Sequence, residues 1–471
     1  MQHMKIFFLL IGLITTSISF GQDVETRLGS AIKTLETDPQ FKHAILSMYV
    51  VDSKTGSVVF DKNSQLGLAP ASCQKVVTSV SAFEMLGKDY RYKTVIGHDG
   101  NIKGDILIGN LFIVASGDPT FGSWRWHETD TEAIEQKIVG ILKANNIKSL
   151  DGPILIDESR WATQATPNGW TWDDIGNYYG AGARGFNWYE NQFDIILKPG
   201  KNIGDPVQVV ETRPEMGFIT LVNELKTGGA GSGDNSVVYL PEGAPVGYLR
   251  GTIPPGKENF TITGATPYPS SPFFKTLGIF SGSNGIRMGG GRTSGNLSML
   301  GEKMPLMTAT LATIISPPFD SINYWFLKRS VNLYGEALVK TIAFEKARFG
   351  STDTGLNIIK DFWNNKGIER SSLHIIDGSG LSPANRVTTN ALVTIMQYAR
   401  NQNWFSSFYY ALPELNSIKM KDGYISGVRA FTGYVKSKDG NEYTFSFIVN
   451  NFDGSAGAVR EKMWKVLDIL K

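Results

Sequence analysis

Apolar and polar positions change period several times along the chain, and each change marks an element. Behind Lys5 an apolar run extends from Ile6 to Ile18 and gives way to Ser19-Phe20-Gly21, which offers small residues at the two positions a signal peptidase reads. The run is short for a bilayer span, and no later stretch approaches the ~18 uninterrupted apolar residues that a span needs. A secretory signal over residues 1–21 is expected, with no stable membrane span once it is cleaved. Ser47 to Val51 and Val58 to Asp61 then read as the strands of a hairpin, with Lys54-Thr55-Gly56 at its turn. From Ser72 to Leu86 the period becomes helical: Val76, Val80 and Phe83 recur at four- and three-residue spacing, and Gly87 is placed to end the helix.

Between about Arg91 and Pro269 short β-like runs dominate, among them Ile106 to Val114, Pro153 to Asp157 and Val207 to Val210, separated by Gly, Pro and Asp turns. The middle of this region, Trp161 to Phe193, is dense in Trp, Tyr and Gly, and Gly228 to Asp234 reads as a flexible loop. Helical character is expected again over Met304 to Ile315, Leu333 to Phe344 and Gly355 to Lys366. Near the end Tyr443, Phe445, Phe447 and Val449 alternate with Glu442, Thr444 and Ser446, a strand preceded by a Lys438-Asp439-Gly440 turn. A final amphipathic helix places Val459, Met463, Val466, Leu467 and Leu470 on one face. The pattern is that of a mixed domain split by a β-rich insert.

Composition narrows the function. A chain of 471 residues exceeds what one hydrophobic core organises, so two or three domains are expected. Hydrophobic residues at 41% and charged residues at 19% are globular proportions, and a net charge of +2 with no basic block argues against nucleic acid as partner. Cys73 is the only cysteine, so no intrachain disulfide can form. There is no G-x-S-x-G elbow, no H-E-x-x-H and no G-K-[ST] loop, and with only five histidines a histidine base or a metal site has little support. No cofactor or metal is expected.

The remaining chemistry sits in three short strings. Ser72 and Lys75 form S-x-x-K at the start of a helix, where three-residue spacing sets both side chains on one face. A lysine whose charge is disfavoured by burial or by neighbouring cations can take the proton of a serine hydroxyl, and a helix N-terminus favours the oxyanion that follows attack. Spacing alone leaves open a capping serine with a solvated lysine, because Ser30 and Lys33 repeat the pattern; Ser72 differs in following Pro70-Ala71 and leading an apolar helix. Ser330-Val331-Asn332 precedes a second helix, where Ser330 could relay a proton and Asn332 could hold a substrate amide, although Ser294-Gly295-Asn296 and Ser321-Ile322-Asn323 match the same form. Lys421-Asp422-Gly423 fits a basic residue and a glycine entering a sheet edge, where an ordinary turn is the competing reading; Lys54-Thr55-Gly56 and Lys226-Thr227-Gly228 come too early in the chain for that place.

In this order, Pro-Ala-Ser72-Cys-Gln-Lys75, Ser330-Val-Asn332 and Lys421-Asp-Gly423 resemble the three-motif signature of penicillin-binding proteins and serine β-lactamases. The chain is most similar to the low-molecular-mass class C branch of D-alanyl-D-alanine carboxypeptidases and endopeptidases, which carry a large insert. Ser116-Gly-Asp118-Pro-Thr120, Arg250-Gly-Thr-Ile-Pro254, Asp377-Gly-Ser-Gly-Leu-Ser382 with Asn385, and Ile448-Val-Asn-Asn451 support it. The resemblance implies an α+β fold: a transpeptidase-like domain, an antiparallel sheet covered by helices, made of residues 22–93 and 272–471 and interrupted at 94–271 by a β-rich insert of one or two subdomains. It implies a periplasmic DD-peptidase acting on peptidoglycan stem peptides through an acyl-enzyme on Ser72, with β-lactams as covalent inhibitors. Lys75 would be the base and Ser330 would pass the proton to the departing D-alanine. Asn332 would bind the substrate amide, Lys421 would hold charge and geometry, and the backbone N–H groups of Ser72 and Tyr424 would form the oxyanion hole.

At Asp422 the chain departs from the resemblance, since the family usually carries threonine there. An ionised carboxylate cannot donate a hydrogen bond to the substrate's terminal carboxylate, and two like charges at about 4 Å repel by roughly 1 to 4 kcal/mol. Carboxypeptidase action and penicillin binding should both be weak, with endopeptidase action on cross-links or another amide or ester substrate as a variant. A cell-wall-binding or sensor protein without turnover is the alternative, and a β-lactamase-like hydrolase the third.

Overall fold

The alternating segment near the C-terminus forms the strand Glu442–Asn450, which pairs antiparallel with Ile45–Asp52 on one side and Val428–Lys436 on the other. In the computed structural model, which describes residues 23–256 and 258–471, these strands belong to a six-stranded antiparallel sheet. Its order is Val58–Lys62, Ile45–Asp52, Glu442–Asn450, Val428–Lys436, Ile418–Ile425 and Glu414–Leu415. The two ends of the chain therefore share one layer, and the expected signal segment lies outside the described residues. Among the described residues no helix is long and apolar enough to cross a membrane.

Successive side chains of a strand point to opposite faces. Met48, Val50, Met420, Phe431, Phe445, Phe447 and Val449 are buried on one face against the helix over residues 23–36 and the terminal helix Ala456–Leu467. Ala430, Tyr434 and Ile448 pack on the other, against the helices Lys75–Met85, Asn332–Ala347 and Thr389–Arg400. The polar members of the alternation are enclosed with them. Thr432 and Ser446 bring their hydroxyls to 2.9 Å, and the Thr444 hydroxyl donates to Gln397 Oε1 at 2.8 Å, so these three enclosed hydroxyls are all paired.

The insert holds a five-stranded sheet in the order Gly291–Thr293, Ile154–Asp157, Leu111–Val114, Lys93–His98 and Ala309–Ile315, so residues from beyond 271 complete it. A three-stranded and a four-stranded sheet close a further core around Phe193, Leu197, Val238, Leu249 and Ile262. Two differences from the sequence reading stand out. The segment expected to be helical from Met304 to Ile315 is instead the strand Ala309–Ile315, in which β-branched Thr310, Thr313, Ile314 and Ile315 pair with Lys93–His98. Within the β-rich region lies the helix Thr131–Ala144, capped by Asp130 Oδ1 on Ala133 N–H at 2.8 Å and burying Ile134, Ile138 and Leu142.

The central strand also positions the chain ahead of Ser72. Asn450 accepts the Ala69 N–H through Oδ1 at 2.8 Å and donates to the Ala69 carbonyl through Nδ2 at 3.0 Å, while Leu68 exchanges both backbone bonds with Val387. Replacing Asn450 with alanine strands both Ala69 groups. We expect a loss of about 1–3 kcal/mol in denaturant unfolding, and a much smaller one for an exposed control such as Asn101→Ala.

Candidate active site

The segment held by Asn450 turns sharply at Ala71, whose φ of 44° is left-handed and costs an L-residue roughly 1–2 kcal/mol. A 3-10 turn, Ala71–Gln74, follows and runs directly into the helix Lys75–Met85. Ser72 lies in the turn and Lys75 opens the helix. The expected proximity is present: Lys75 Nζ is 2.9 Å from Ser72 Oγ, while Ser30 and Lys33, the repeated spacing, are both exposed on the helix over residues 23–36.

Lys75 is wholly buried, and its nitrogen also lies 2.6 Å from Asn332 Oδ1 and 2.8 Å from the Ser379 carbonyl. Both of these oxygens can only accept. A neutral amine has two N–H bonds to give them, and its lone pair is then left for the Ser72 hydroxyl. Burial, with the Lys421 charge adding to it, brings Lys75 down to about 7, although Asp377, Glu336 and Asp422 pull the other way. The thiol next to Ser72 is held inert. Cys73 Sγ is fully buried against the Lys421 carbonyl at 3.2 Å, and burial pushes it up to about 12.

Acceptors for Lys75 are fixed from behind. Asp377 takes hydrogen bonds from Gly380 N, Ser382 N, Asn385 Nδ2, Gln74 Nε2 and Trp170 Nε1, which rigidifies the turn that presents the Ser379 carbonyl. Glu336, one helical turn beyond Asn332, accepts the Gly378 N–H; burial and the nearby Asp377 raise its carboxyl. The sequence reading contained Gln74, Asp377 and Asn385 without a role, and it missed Glu336. Glu336 had a signal, because four-residue spacing from Asn332 puts both on one helix face. Asn332 in turn donates through Nδ2 to the Tyr179 carbonyl at 2.8 Å, so the insert sets its orientation.

Ser330 stands apart. It precedes the helix cap Val331 with a φ of 55° and lines a cavity of about 420 Å³ with Trp124, Arg125, Tyr178, Tyr179 and Asn332. Among the described residues it makes no hydrogen bond to Ser72 or Lys75. The two literal Lys-Thr-Gly strings are elsewhere: Lys54 and Thr55 donate their N–H groups to Asp52 Oδ1 in the exposed hairpin turn, and Lys226–Thr227 is a short strand of the insert.

Lys421-Asp422-Gly423 occupies the strand Ile418–Ile425, whose outer neighbour reaches only Lys419 and Ile418. Met420 donates its N–H outward to the Pro413 carbonyl at 3.0 Å, and backbone groups alternate sides along a strand, so Asp422 and Tyr424 also aim their N–H groups at this free edge. This part of the strand lies close to Ser72. A side-chain carbon on Gly423 would lie 2.6 Å from the Pro70 carbonyl and 3.0 Å from Ser72 N; one on Gly380, at a φ of +83°, would meet the Ala71 carbonyl at 2.0 Å. Lys421 Nζ lies 2.8 Å from the Asp422 carbonyl and 2.9 Å from Asp422 Oδ1. Burial pushes the Asp422 carboxyl up, but the charge and hydrogen bond of Lys421 outweigh it and hold Asp422 below the usual carboxylate range.

Ser72 thus has a buried lysine partner and stands beside a glycine-lined strand edge. The family model for the D-Ala-D-Ala carboxypeptidase 3 (S13) family matches residues 28–414. The chain belongs to this family. The match ends before Lys421, so the third string is supported by its place in the sheet. Among relatives of the S13 peptidase, the D-alanyl-D-alanine carboxypeptidase of Actinomadura sp. (strain R39) is 26% identical over 92% of this chain and 82% of its own length. The D-alanyl-D-alanine carboxypeptidase DacB of Haemophilus influenzae is 23% identical over 86% and 85%. The crystal structure of penicillin binding protein 4 (dacB) from Haemophilus influenzae shares the fold with a TM-score of 0.77 at 18% identity, over 91% of this chain and 97% of that one. The protein is a serine-type DD-peptidase of α+β architecture.

Gly423→Ala tests the closeness of the strand to the nucleophile. The added carbon displaces the free edge from Ser72 N, and acylation of Ser72 by a fluorophosphonate should slow by about 10²-fold, with circular dichroism unchanged.

Proposed function

We propose that Ser72 is the nucleophile, with neutral Lys75 as its base, in cleavage of D-alanyl amide bonds of peptidoglycan stem peptides. The observation that carries this reading is the buried Lys75 nitrogen, 2.9 Å from Ser72 Oγ and supplied with two acceptors of its own. Ser72 Oγ attacks the D-alanyl carbonyl carbon, and its proton passes to Lys75. The carbonyl oxygen, now negative, sits between the N–H groups of Ser72 and Tyr424. Ser330, at the rim of its cavity, relays the proton to the departing amine as the C–N bond breaks. Water then attacks the ester carbon as Lys75 takes its proton; the bond from that carbon to Ser72 Oγ breaks, Lys75 returns the proton to Oγ, and the peptide leaves as a carboxylic acid. Asn332 holds the lysine and the substrate amide, and Lys421 holds the geometry of the strand edge, its charge engaged by Asp422.

The same chemistry makes β-lactams covalent ligands of Ser72; a β-lactam complex of the Haemophilus protein has been solved. Residues 1–21 read as an export signal, and a wall substrate lies outside the inner membrane, so we place the enzyme in the periplasm. We divide the chain into residues 22–93 and 272–471, which supply Ser72, Lys75, Asn332 and Lys421, and an insert at 94–271, which supplies Trp170 and Tyr179, although the strands Gly291–Thr293 and Ala309–Ile315 complete the insert's sheet from beyond that boundary.

Two measurements test this. Incubation of purified muropeptides with wild type should remove terminal D-alanine or open cross-links by mass, and Ser72→Ala or Lys75→Met should lower either rate by about 10²- to 10⁴-fold; unchanged masses with wild type would leave a binding protein. Attack needs the free base of Lys75, so acylation of Ser72 should be slow while the lysine is protonated and rise with pH through about 7. A profile flat from pH 5 to 9 would exclude Lys75 as the base.

A further inference from the structure

Asp422 does more than depart from the family pattern. We propose that it is a specificity residue that selects substrates carrying a carboxamide, rather than a free carboxylate, on the residue beyond the scissile bond. This rests on the assignment of Ser72 as nucleophile.

Residues adjacent in a strand point to opposite faces, so Lys421 and Asp422 can touch only by curling over a strand edge. Their 2.9 Å contact between Nζ and Oδ1 places the carboxylate at the edge that is free of a strand partner beyond Lys419. Gly423 follows at once, with its backbone against Pro70, Ala71 and Ser72. The negative oxygens therefore stand one residue from the nucleophile's closest approach, where the leaving residue must lie. Lys421 is itself buried, and it directs hydrogen bonds to both the backbone and side-chain oxygens of Asp422. Its charge is thereby taken up inside the protein.

The remaining cation nearby is Arg429, paired across the sheet with Tyr424. Its guanidinium lies over the Tyr424 ring at 5.4 Å and the Phe431 ring at 5.6 Å, on the face that carries Asp422, and Asp422 and Arg429 attract one another, so this charge too is engaged by Asp422. An arriving carboxylate thus meets an acceptor where it needs donors. A carboxamide reverses the match, because its NH₂ group donates to Asp422 and it brings no charge. Such a group occurs at an amidated stem-peptide terminus or beside the amide of an amidated cross-link, and the chemistry is the same in both.

The test compares kcat/KM for an N-acylated D-Ala-D-Ala with its C-terminal amide, using the full mature protein, with D422T and D422N in parallel. The ratio within each protein cancels general damage to the site. Wild type should favour the amide by about 10-fold or more, a hydrogen bond to a charged acceptor being the difference. D422T, with a hydroxyl to donate, should reverse the preference toward the free acid, and D422N should bring the ratio near one. Preference of wild type for the free acid, or a ratio unmoved by D422T, overturns the proposal while leaving the Ser72 assignment intact. Failure of a fluorophosphonate to label Ser72 in wild type overturns both.

Discussion

The site depends on one buried nitrogen. Lys75 can be a base only because the fold denies it water and places beside it two oxygens that ask for hydrogen bonds without offering a full negative charge, those of Asn332 and Ser379. A carboxylate in either place would pull the proton back onto the amine. The protein keeps its carboxylates, Asp377 and Glu336, one layer behind, where they anchor the turn that presents the Ser379 carbonyl. Lys421 adds a like charge and works in the same direction as burial.

Close approach is the second requirement, and glycine supplies it. The turn that carries Ser72 is squeezed between Gly380 and Gly423, each packed so tightly on the backbone of residues 70–72 that a methyl group would overlap it. The left-handed φ of Ala71 persists because the surroundings over-determine it: Asn450 grips Ala69 from the central strand, and the helix Lys75–Met85 is buried along most of its length. Local strain is thus held by long-range contacts between the two ends of the chain.

This distribution explains what could be read in the sequence. Elements with a clean period, the final strand and helix and the Ser72 helix, were legible, as was the Ser72–Lys75 pair, because three-residue spacing constrains geometry by itself. The strand Ala309–Ile315 was misread as helix since its β-branched residues gain their preference from pairing with Lys93–His98, some two hundred residues earlier. That the polar side of the Glu442–Asn450 strand is enclosed by a further helical layer is likewise a tertiary fact. Glu336 escaped notice and Gln74 had no role to read because their partners, Gly378 and Asp377, come from a turn remote in sequence. The position of Asp422 was legible, but its engagement with Lys421 was not, since strand neighbours ordinarily diverge.

Asn332 is satisfied from two directions, by Lys75 through its oxygen and by the Tyr179 carbonyl through its nitrogen, and Trp170 reaches Asp377 in the same way. What looks like a passenger segment in the linear chain is therefore a wall of the reaction chamber. The accessory region and the peptidase are not separable modules: a shift of the aromatic loop would be felt first as a change in how firmly the amide of Asn332 is steered, and so in the basicity available one bond away.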